Sequence, residues 1–405
     1  MSGSKFRLTH SPKVSPDVAR LIPDNIFELT AWATGRCDLR CRYCFVYKLY
    51  PQQPSSDMQP DVVEALIDFG LKYGSRPIRI WWFGGEPLLA FDNVIKYAVD
   101  LVLRRGLRVS MNGDVHFGLT TNCTLLTEDK VKFFARYGFG ILLSIDGTKE
   151  KHDKYRVFPD GRGSFDIVWR GLQLVRKYLN PNPSIRWTVA PETVEGLAND
   201  VKWYVDQGLT NLAIDWVYEV KWYEEDLKKL RLEMYKIREY MIEWMRQGVP
   251  VMLKFVRDGV APAVAPFRAW WKSRCGLGQG SVGVDIDGTI YPCHRFVSTH
   301  KKELAIGHVK EGWYWDKRYA WVANWIKHPP YSEEGIERCK FCPYRVACHG
   351  GCLAVNYDLF GDVHIVPKSY CDIMQVLSEV WLPFHYLMVR ENNSTYRKIY
   401  LGGRR

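Results

Sequence analysis

The chain has 405 residues, 47% of them apolar and 25% charged, with a formal net charge of +11 and eleven cysteines. That is an ordinary globular composition with room for two or three domains. The longest apolar stretches, such as 380–389, fall short of the roughly 20 residues that cross a bilayer. Residues 1–23 carry no apolar targeting core. A cytoplasmic protein with no membrane partner is therefore expected, and in a reducing compartment its thiols read as metal ligands or catalytic groups rather than disulfides. Lysines and arginines are scattered, without a long basic run or a nucleic-acid-binding motif, so no nucleic-acid partner is expected. The positive balance suits an acidic peptide, an anionic cofactor or a low-potential electron-donor protein.

Residues 1–25 form an irregular lead-in. From Ile26 to about Tyr218 strand-like runs at 26–33, 78–83, 115–120, 139–145, 184–190 and 211–218 alternate with helical periodicity. Pro60 opens a helix over 61–73 that Gly74 closes, and Thr127 caps one over 128–137. Further helices are predicted over 92–105, 164–179 and 194–207. Repeated βα units imply a parallel sheet with crossover helices, whose chemistry sits at the C-terminal ends of the strands. An amphipathic helix follows over 222–247, with Leu227, Leu230, Met234, Ile237, Met241 and Trp244 on one face.

The motifs fall at those strand ends. After the first strand come Cys37, Cys41 and Cys44 at spacing CxxxCxxC, with Tyr43 inside the last gap. Three thiolates can hold three irons of a [4Fe–4S] cluster and leave the fourth iron open. A zinc site is the alternative, although a closed one wants four ligands and no His or further Cys lies nearby. Gly84-Gly85-Glu86-Pro87 follows the second strand: two glycines permit a tight turn and close approach to a ligand, and the Glu can accept from an ammonium group. Thr121-Asn122 ends the third strand and Ser144-Ile145-Asp146-Gly147 the fourth, with Arg156 a little further on. Arg156 reads either as a carboxylate-binding cation or as a surface ion-pair partner. Cys123 stands outside the cysteine clusters, either a buried spectator or a catalytic acid beside Asn122.

Together these motifs resemble the radical SAM superfamily. The resemblance implies an open, partial (β/α)6 TIM-type barrel and an S-adenosylmethionine (SAM) site built from Tyr43, Gly84, Gly85, Glu86, Pro87, Asn122, Ser144, Asp146 and Arg156. It also implies an electron donor such as flavodoxin or ferredoxin. Seven more cysteines follow. Cys275 precedes Gly288, which is followed by Cys293; then come Cys339, Cys342, Cys348, Cys352 and Cys371. These spacings resemble the SPASM pattern, which implies two auxiliary [4Fe–4S] clusters, one on Cys339, Cys342, Cys348 and Cys371 and the other on Cys275, Cys293 and Cys352. Three clusters in all are then expected. The fold class is α/β, the partial barrel at 26–220, a helical connector at 221–270, the Cys-rich SPASM domain at 271–375 and a C-terminal helix and tail at 376–405.

Two departures from the anaerobic sulfatase-maturing enzymes bear on function. Those enzymes carry a further Cys six residues after the first SPASM Cys, where this chain has Ser281. They also carry an Asp after the YPC cysteine, where this chain has His294. A YPCH segment is more similar to maturases of ribosomally made peptides. The expected activity is hydrogen abstraction from a residue of a precursor peptide or protein, closing a thioether or C–C cross-link. His294 is a candidate base. The alternatives are formylglycine generation in a sulfatase and peptide epimerisation. The fourth ligand of the three-thiol auxiliary set stays open between substrate thiolate, His294 and Ser281.

Overall fold

The computed structural model describes residues 26–260, 278, 280–327, 330–348 and 350–401. In chain order the main elements are β1 (Ile26–Thr34), α1 (Phe45–Leu49), α2 (Pro60–Tyr73), β2 (Gly74–Gly84), α3 (Tyr97–Arg104), β3 (Val115–Thr121), α4 (Glu128–Arg136) and β4 (Gly140–Ser144). They continue with α5 (Lys149–Tyr155), α6 (Phe165–Tyr178), β5 (Ser184–Val189), α7 (Leu197–Asp206), β6 (Asn211–Trp216), α8 (Glu224–Arg246), β7 (Met252–Leu253), β8 (Ser281–Val284) and β9 (Thr289–Tyr291). The last are α9 (His294–Val297), β10 (Gly307–His308), β11 (Gly312–Trp313), α10 (Ile336–Lys340), α11 (Arg345–Cys348), α12 (Leu353–Phe360) and α13 (Lys368–Arg390).

The chain divides into two compact units. The first holds the described residues up to Ser144, residues 153–181 and the described part of 273–328. Its sheet runs β11-β10-β9-β8-β1-β2-β3-β4. Strands β1 to β4 pair in parallel, with Leu29 opposite Ile80, Ile80 opposite Phe117 and Leu119 opposite Ile141. Parallel strands are covered on both faces and so read as near-continuous apolar runs. Trp32, Trp82, Phe117 and Leu119 are accordingly buried. On the other side of β1 lies β8, also parallel, with Leu29 opposite Val282; β9, β10 and β11 then continue antiparallel.

The second unit holds residues 145–152, 182–260 and the described residues from 330 onward. Its strands run β5-β6-β7 in parallel, Ile185 opposite Leu212 and Leu212 opposite Leu253. Helix α8 packs Leu230, Met234, Ile237 and Met241 inward as its periodicity predicts. Arg231 on α8 pairs with Glu379 on α13 at 3.1 Å.

The expected strands all form, and so do most helices. Two differences have local causes. The helix predicted over 92–105 is preceded by a 3₁₀ turn at Pro87–Ala90 and a π-helical turn at Phe91–Lys96, and its regular part is only α3. The helix predicted from 194 begins at Leu197, because Gly196 sits in the left-handed region at φ 75°. Among the described residues no helix is long and apolar enough to cross a membrane.

The ends of β1 and β2 are locked together by their loops. The Gly85 N–H donates to the Thr34 carbonyl at 2.9 Å and the Glu86 N–H to the Arg36 carbonyl at 2.7 Å. A Cβ on Gly84, whose φ is 120°, would stand 2.3 Å from the Thr34 oxygen, and one on Gly85 would stand 1.9 Å from the Arg36 oxygen. Both positions therefore demand glycine for backbone-to-backbone approach. Gly85→Ala must push the two loops apart, an overpacking cost of about 1–3 kcal/mol. Thermal denaturation should show a melting temperature several degrees lower, against little change for Gly161→Ala, where a Cβ meets nothing within 4 Å and only the left-handed backbone is strained.

Candidate functional site

The cysteine loop begins where β1 ends. Its backbone is pinned from one side by the Gly84–Glu86 turn and from the other by Arg40 N–H to Val157 O (2.7 Å) and Arg42 N–H to Tyr155 O (2.9 Å). The Arg40 guanidinium donates to the Cys37 and Leu39 carbonyls, each at 2.8 Å, and lies over the Tyr47 ring. Tyr47 donates its hydroxyl to the Gly35 carbonyl at 2.7 Å. Burial, with Cys37 nearby, pushes its phenol up to about 12. Tyr43 stacks on Tyr155 at 5.4 Å, and the buried Arg156 lies 5.5 Å from the Tyr43 ring centre. Burial beside Tyr43 places Arg156 inside the unit rather than on its surface.

Glu86 is 1% exposed. Its Oε1 accepts from the Leu88 N–H at 3.0 Å and the Thr121 hydroxyl at 2.8 Å, and its Oε2 accepts from the Asn122 N–H at 2.7 Å. One carboxylate thus ties the end of β2 to the end of β3. Burial pushes its carboxyl up to about 7, against the downward pull of those three bonds. Asn122 reaches the cysteine loop: its Nδ2 donates to Asp38 Oδ1 at 2.7 Å and stands 3.9 Å from Cys37 Sγ. Cys123 is fully buried, in the left-handed region at φ 69°, with its N–H donating to Thr121 Oγ1 at 3.0 Å. Burial pushes its thiol well up, which keeps it protonated.

Cys293 and His294 lie at the start of α9 in the same unit. The His294 ring meets Phe83, the last side chain before Gly84, edge-on at 4.8 Å. Arg295 covers the ring of Phe45, the residue after Cys44, at 4.1 Å. Further along, His300 bridges Asp285 (2.8 Å) and Gln53 (2.9 Å). The Cys293 segment is therefore fastened to the segment that leaves the CxxxCxxC loop. Ser144, at the end of β4, is buried.

In the second unit Asp146 Oδ1 accepts from the Thr188 N–H at 2.8 Å, and its own N–H donates to the buried His152 at 3.2 Å. Gly147 follows at φ 58°, its carbonyl accepting from Tyr204 at 2.8 Å. Cys339, Cys342, Cys348 and Cys371 line one cavity together with Ser332, Tyr344 and Met374. Three helices deliver the first, third and fourth thiols: Cys339 is on α10, Cys348 ends α11, and Cys371 is in the first turn of α13. The Ser332 N–H donates to Cys339 Sγ at 2.9 Å. Burial, with Cys348 and Cys339 adding to it, pushes the Cys371 thiol up to about 12. Cys352 is not among the cavity residues; it caps α12. Cys275 lies outside the described residues.

A single ion would draw its thiolates to within about 4 Å of one another. Among the described residues no three His, Cys, Asp or Glu side chains are gathered to hold a metal ion. The sulfur sets that are present, three thiols on one loop and four around one cavity, are the soft donors that iron–sulfur clusters take. The Ser332 N–H aimed at Cys339 sulfur is the kind of outer bond that tunes such a group.

Sequence reasoning missed Asp38 and Thr124, and placed Thr121 at the end of the third strand without its hydrogen bond to Glu86. Asp38 carried one signal, a carboxylate between the first two cysteines, but its partners are 84 and 86 residues away. The glycines of the GGEP turn do allow the tight turn expected of them, and its backbone passes close to the Thr34 and Arg36 carbonyls.

Residues 33–204 match the radical SAM superfamily. The chain is 32% identical over 346 residues to a serine-type anaerobic sulfatase-maturating enzyme of Klebsiella pneumoniae, covering 78% of this chain and 79% of that protein. To the cysteine-type enzyme of Clostridium novyi it is 24% identical over 335 residues, covering 79% and 86%. Among solved structures it resembles native anSMEcpe with bound AdoMet, with a TM-score of 0.71 and 23% identity over 90% of this chain and 99% of that one. Streptococcus suis SuiB bound to precursor peptide SuiA follows with a TM-score of 0.57 and 16% identity, over 87% and 77%. At these identities the structures show a shared fold.

The buried Glu86 gives a pH test. Its carboxyl is raised in the folded state, so the fold binds this proton more tightly than the unfolded chain does. Its contribution is fully present below pH 4.5 and is lost as pH rises toward 7, by an order of 3 kcal/mol. Glu86→Gln should flatten that part of the stability-versus-pH curve between pH 4.5 and 7. It should also lower stability, because an amide NH₂ would face a backbone N–H donor. Chemical denaturation at pH 5 and pH 7 measures both.

Proposed function

The chain belongs to the radical SAM superfamily, among relatives of the anaerobic sulfatase-maturating enzymes, and from there we propose that it oxidises a Cys or Ser side chain of a peptide or protein substrate. The observation that carries the reading is the cysteine loop of β1 clamped by the Gly84–Glu86 turn, with the Asn122 amide beside Cys37. Cys37, Cys41 and Cys44 would hold a [4Fe–4S] cluster, three thiolates leaving one iron for SAM. When bound, that cluster and SAM would supply a 5′-deoxyadenosyl radical that takes a hydrogen atom from the substrate carbon.

The chain's own residues bind and orient. Glu86 uses three of about four acceptor positions on backbone and hydroxyl donors, and the remaining one takes the SAM ammonium. Arg156, held over Tyr43, meets the SAM carboxylate through a charge-assisted bond. Gly84, Gly85, Pro87, Asn122 and Ser144 complete the SAM contacts that the first unit would supply. Cys339, Cys342, Cys348 and Cys371, which line one cavity, would hold a second cluster. His294 would take the proton released as the C=O bond of a Ser product or the C=S bond of a Cys product forms, water then converting the thioaldehyde to the aldehyde with loss of hydrogen sulfide. An auxiliary cluster would accept the surplus electron. A donor such as flavodoxin or ferredoxin supplies the initial electron. Cys123, buried and protonated, stays a packing residue.

A second reading is carried by His294, which stands where the sulfatase-maturing pattern has Asp. In it the same hydrogen abstraction ends in a thioether or C–C cross-link of a ribosomally made peptide. The two separate by mass spectrometry on Cys- and Ser-containing peptides after anaerobic reaction. An aldehyde trapped by a hydrazide is the expected product. Loss of two hydrogens without an adduct establishes the cross-link instead, a thioether if the thiol can no longer be alkylated and a C–C bond if it can, and unmodified peptide beside SAM cleavage points to another substrate class. His294→Ala should lower product formation at least tenfold while leaving 5′-deoxyadenosine formation within a few-fold.

A further inference from the structure

Asn122 is fixed in one orientation by donors whose identity is unambiguous. Its Oδ1 accepts from the Thr124 backbone N–H at 3.0 Å. That end of the amide is therefore the oxygen, and Nδ2 is the end that faces the cysteine loop. One Nδ2 hydrogen goes to Asp38 Oδ1 at 2.7 Å. The other points into the space toward Cys37 Sγ, 3.9 Å away. Thr124 Oγ1 closes the ring by bonding Asp38 Oδ2 at 2.5 Å. Asp38, Asn122 and Thr124 thus form a closed set in which the carboxylate holds the amide and the amide addresses the sulfur. The backbone beneath it is equally fixed, since the Asn122 N–H donates to Glu86 Oε2.

We propose that Asn122 is a potential-setting donor to the Cys37 sulfur, and that Asp38 and Thr124 are positioning residues acting through it. The proposal rests on the reading that Cys37 ligates a [4Fe–4S] cluster. A hydrogen bond to a ligand sulfur favours the more negative, reduced form, and such bonds are among the groups that set cluster potentials. Asp38 acts in two opposed ways: its charge disfavours reduction, while its hold on the amide keeps the donor aimed. Its net effect therefore depends on whether Asn122 is present.

The test is a potentiometric EPR titration of the anaerobically reconstituted full chain, recorded without SAM and followed at the signal that SAM perturbs. Asn122→Ala should lower the midpoint potential, an about tenfold loss of reduced cluster at fixed potential, or 59 mV for a one-electron couple. Asn122→Ser should shift it the same way and serves if the alanine chain takes up no cluster. Asp38→Ala should change the potential by one amount in the unsubstituted chain and by another in the chain that already carries Asn122→Ala. An unchanged potential in both Asn122 variants, or strictly additive shifts in the cycle, overturns the proposal. An unsubstituted chain with no SAM-perturbed signal overturns the functional reading itself, and the proposal with it. That outcome is distinct, because it appears before any substitution is made.

Discussion

One buried carboxylate organises the site. Glu86 leaves the end of β2, takes two donors from the end of β3 and one from its own turn, and is shut away from water. An ionised group in that position is costly unless its lone pairs are occupied. The protein meets the cost with geometry that also serves chemistry: the turn bearing Glu86 presses its backbone onto the loop after β1. The cysteine loop is thereby held by main-chain bonds, which are short and insensitive to side-chain rotation. Asn122, fixed through the same carboxylate, is what reaches from β3 to Cys37.

Much of this was legible in the sequence, for physical reasons. Parallel strands covered on both faces give unbroken apolar runs, so all six of β1 to β6 could be located. Gly74 marked a helix end because no competing signal surrounded it. The cysteine spacings, GGEP and the polar residues at strand ends are readable in the sequence, and the fold brings GGEP, Thr121 and Asn122 against the cysteine loop. Other features left no local trace. Strand β8 is four residues long, too short for any periodicity, and its pairing with β1 is set by tertiary packing alone. Helix α5 is a polar segment, Lys-Glu-Lys-His-Asp-Lys-Tyr, that buries only His152 and so shows no apolar stripe. The Asp38–Asn122 contact joins residues 84 apart. His294 could be named from its place after Cys293, but its contact with Phe83 needed the fold.

The thiols fall into sets that differ in how they are held. Cys37 and its neighbours sit on a loop whose backbone is fixed while their side chains remain partly open to solvent. The four around the cavity ride on or between α10, α11 and the first turn of the long α13, with an amide N–H already aimed at one sulfur. Every thiol of both sets is half-buried, so the sets differ in mounting, one pinned loop against several helices, rather than in exposure. The solvent-exposed cations Arg40, Arg42 and Lys48 around the first set add a positive field that an anionic partner would feel, while Arg36 is paired with Asp57.

The most direct test of this account is SAM cleavage by the anaerobically reconstituted and reduced chain, read as 5′-deoxyadenosine, beside Cys41→Ala. The account predicts turnover in the unsubstituted chain and its loss, by more than a hundredfold, when the middle thiol of the loop is removed. Undiminished cleavage by Cys41→Ala, or none by the unsubstituted chain loaded with iron and sulfide, would contradict it.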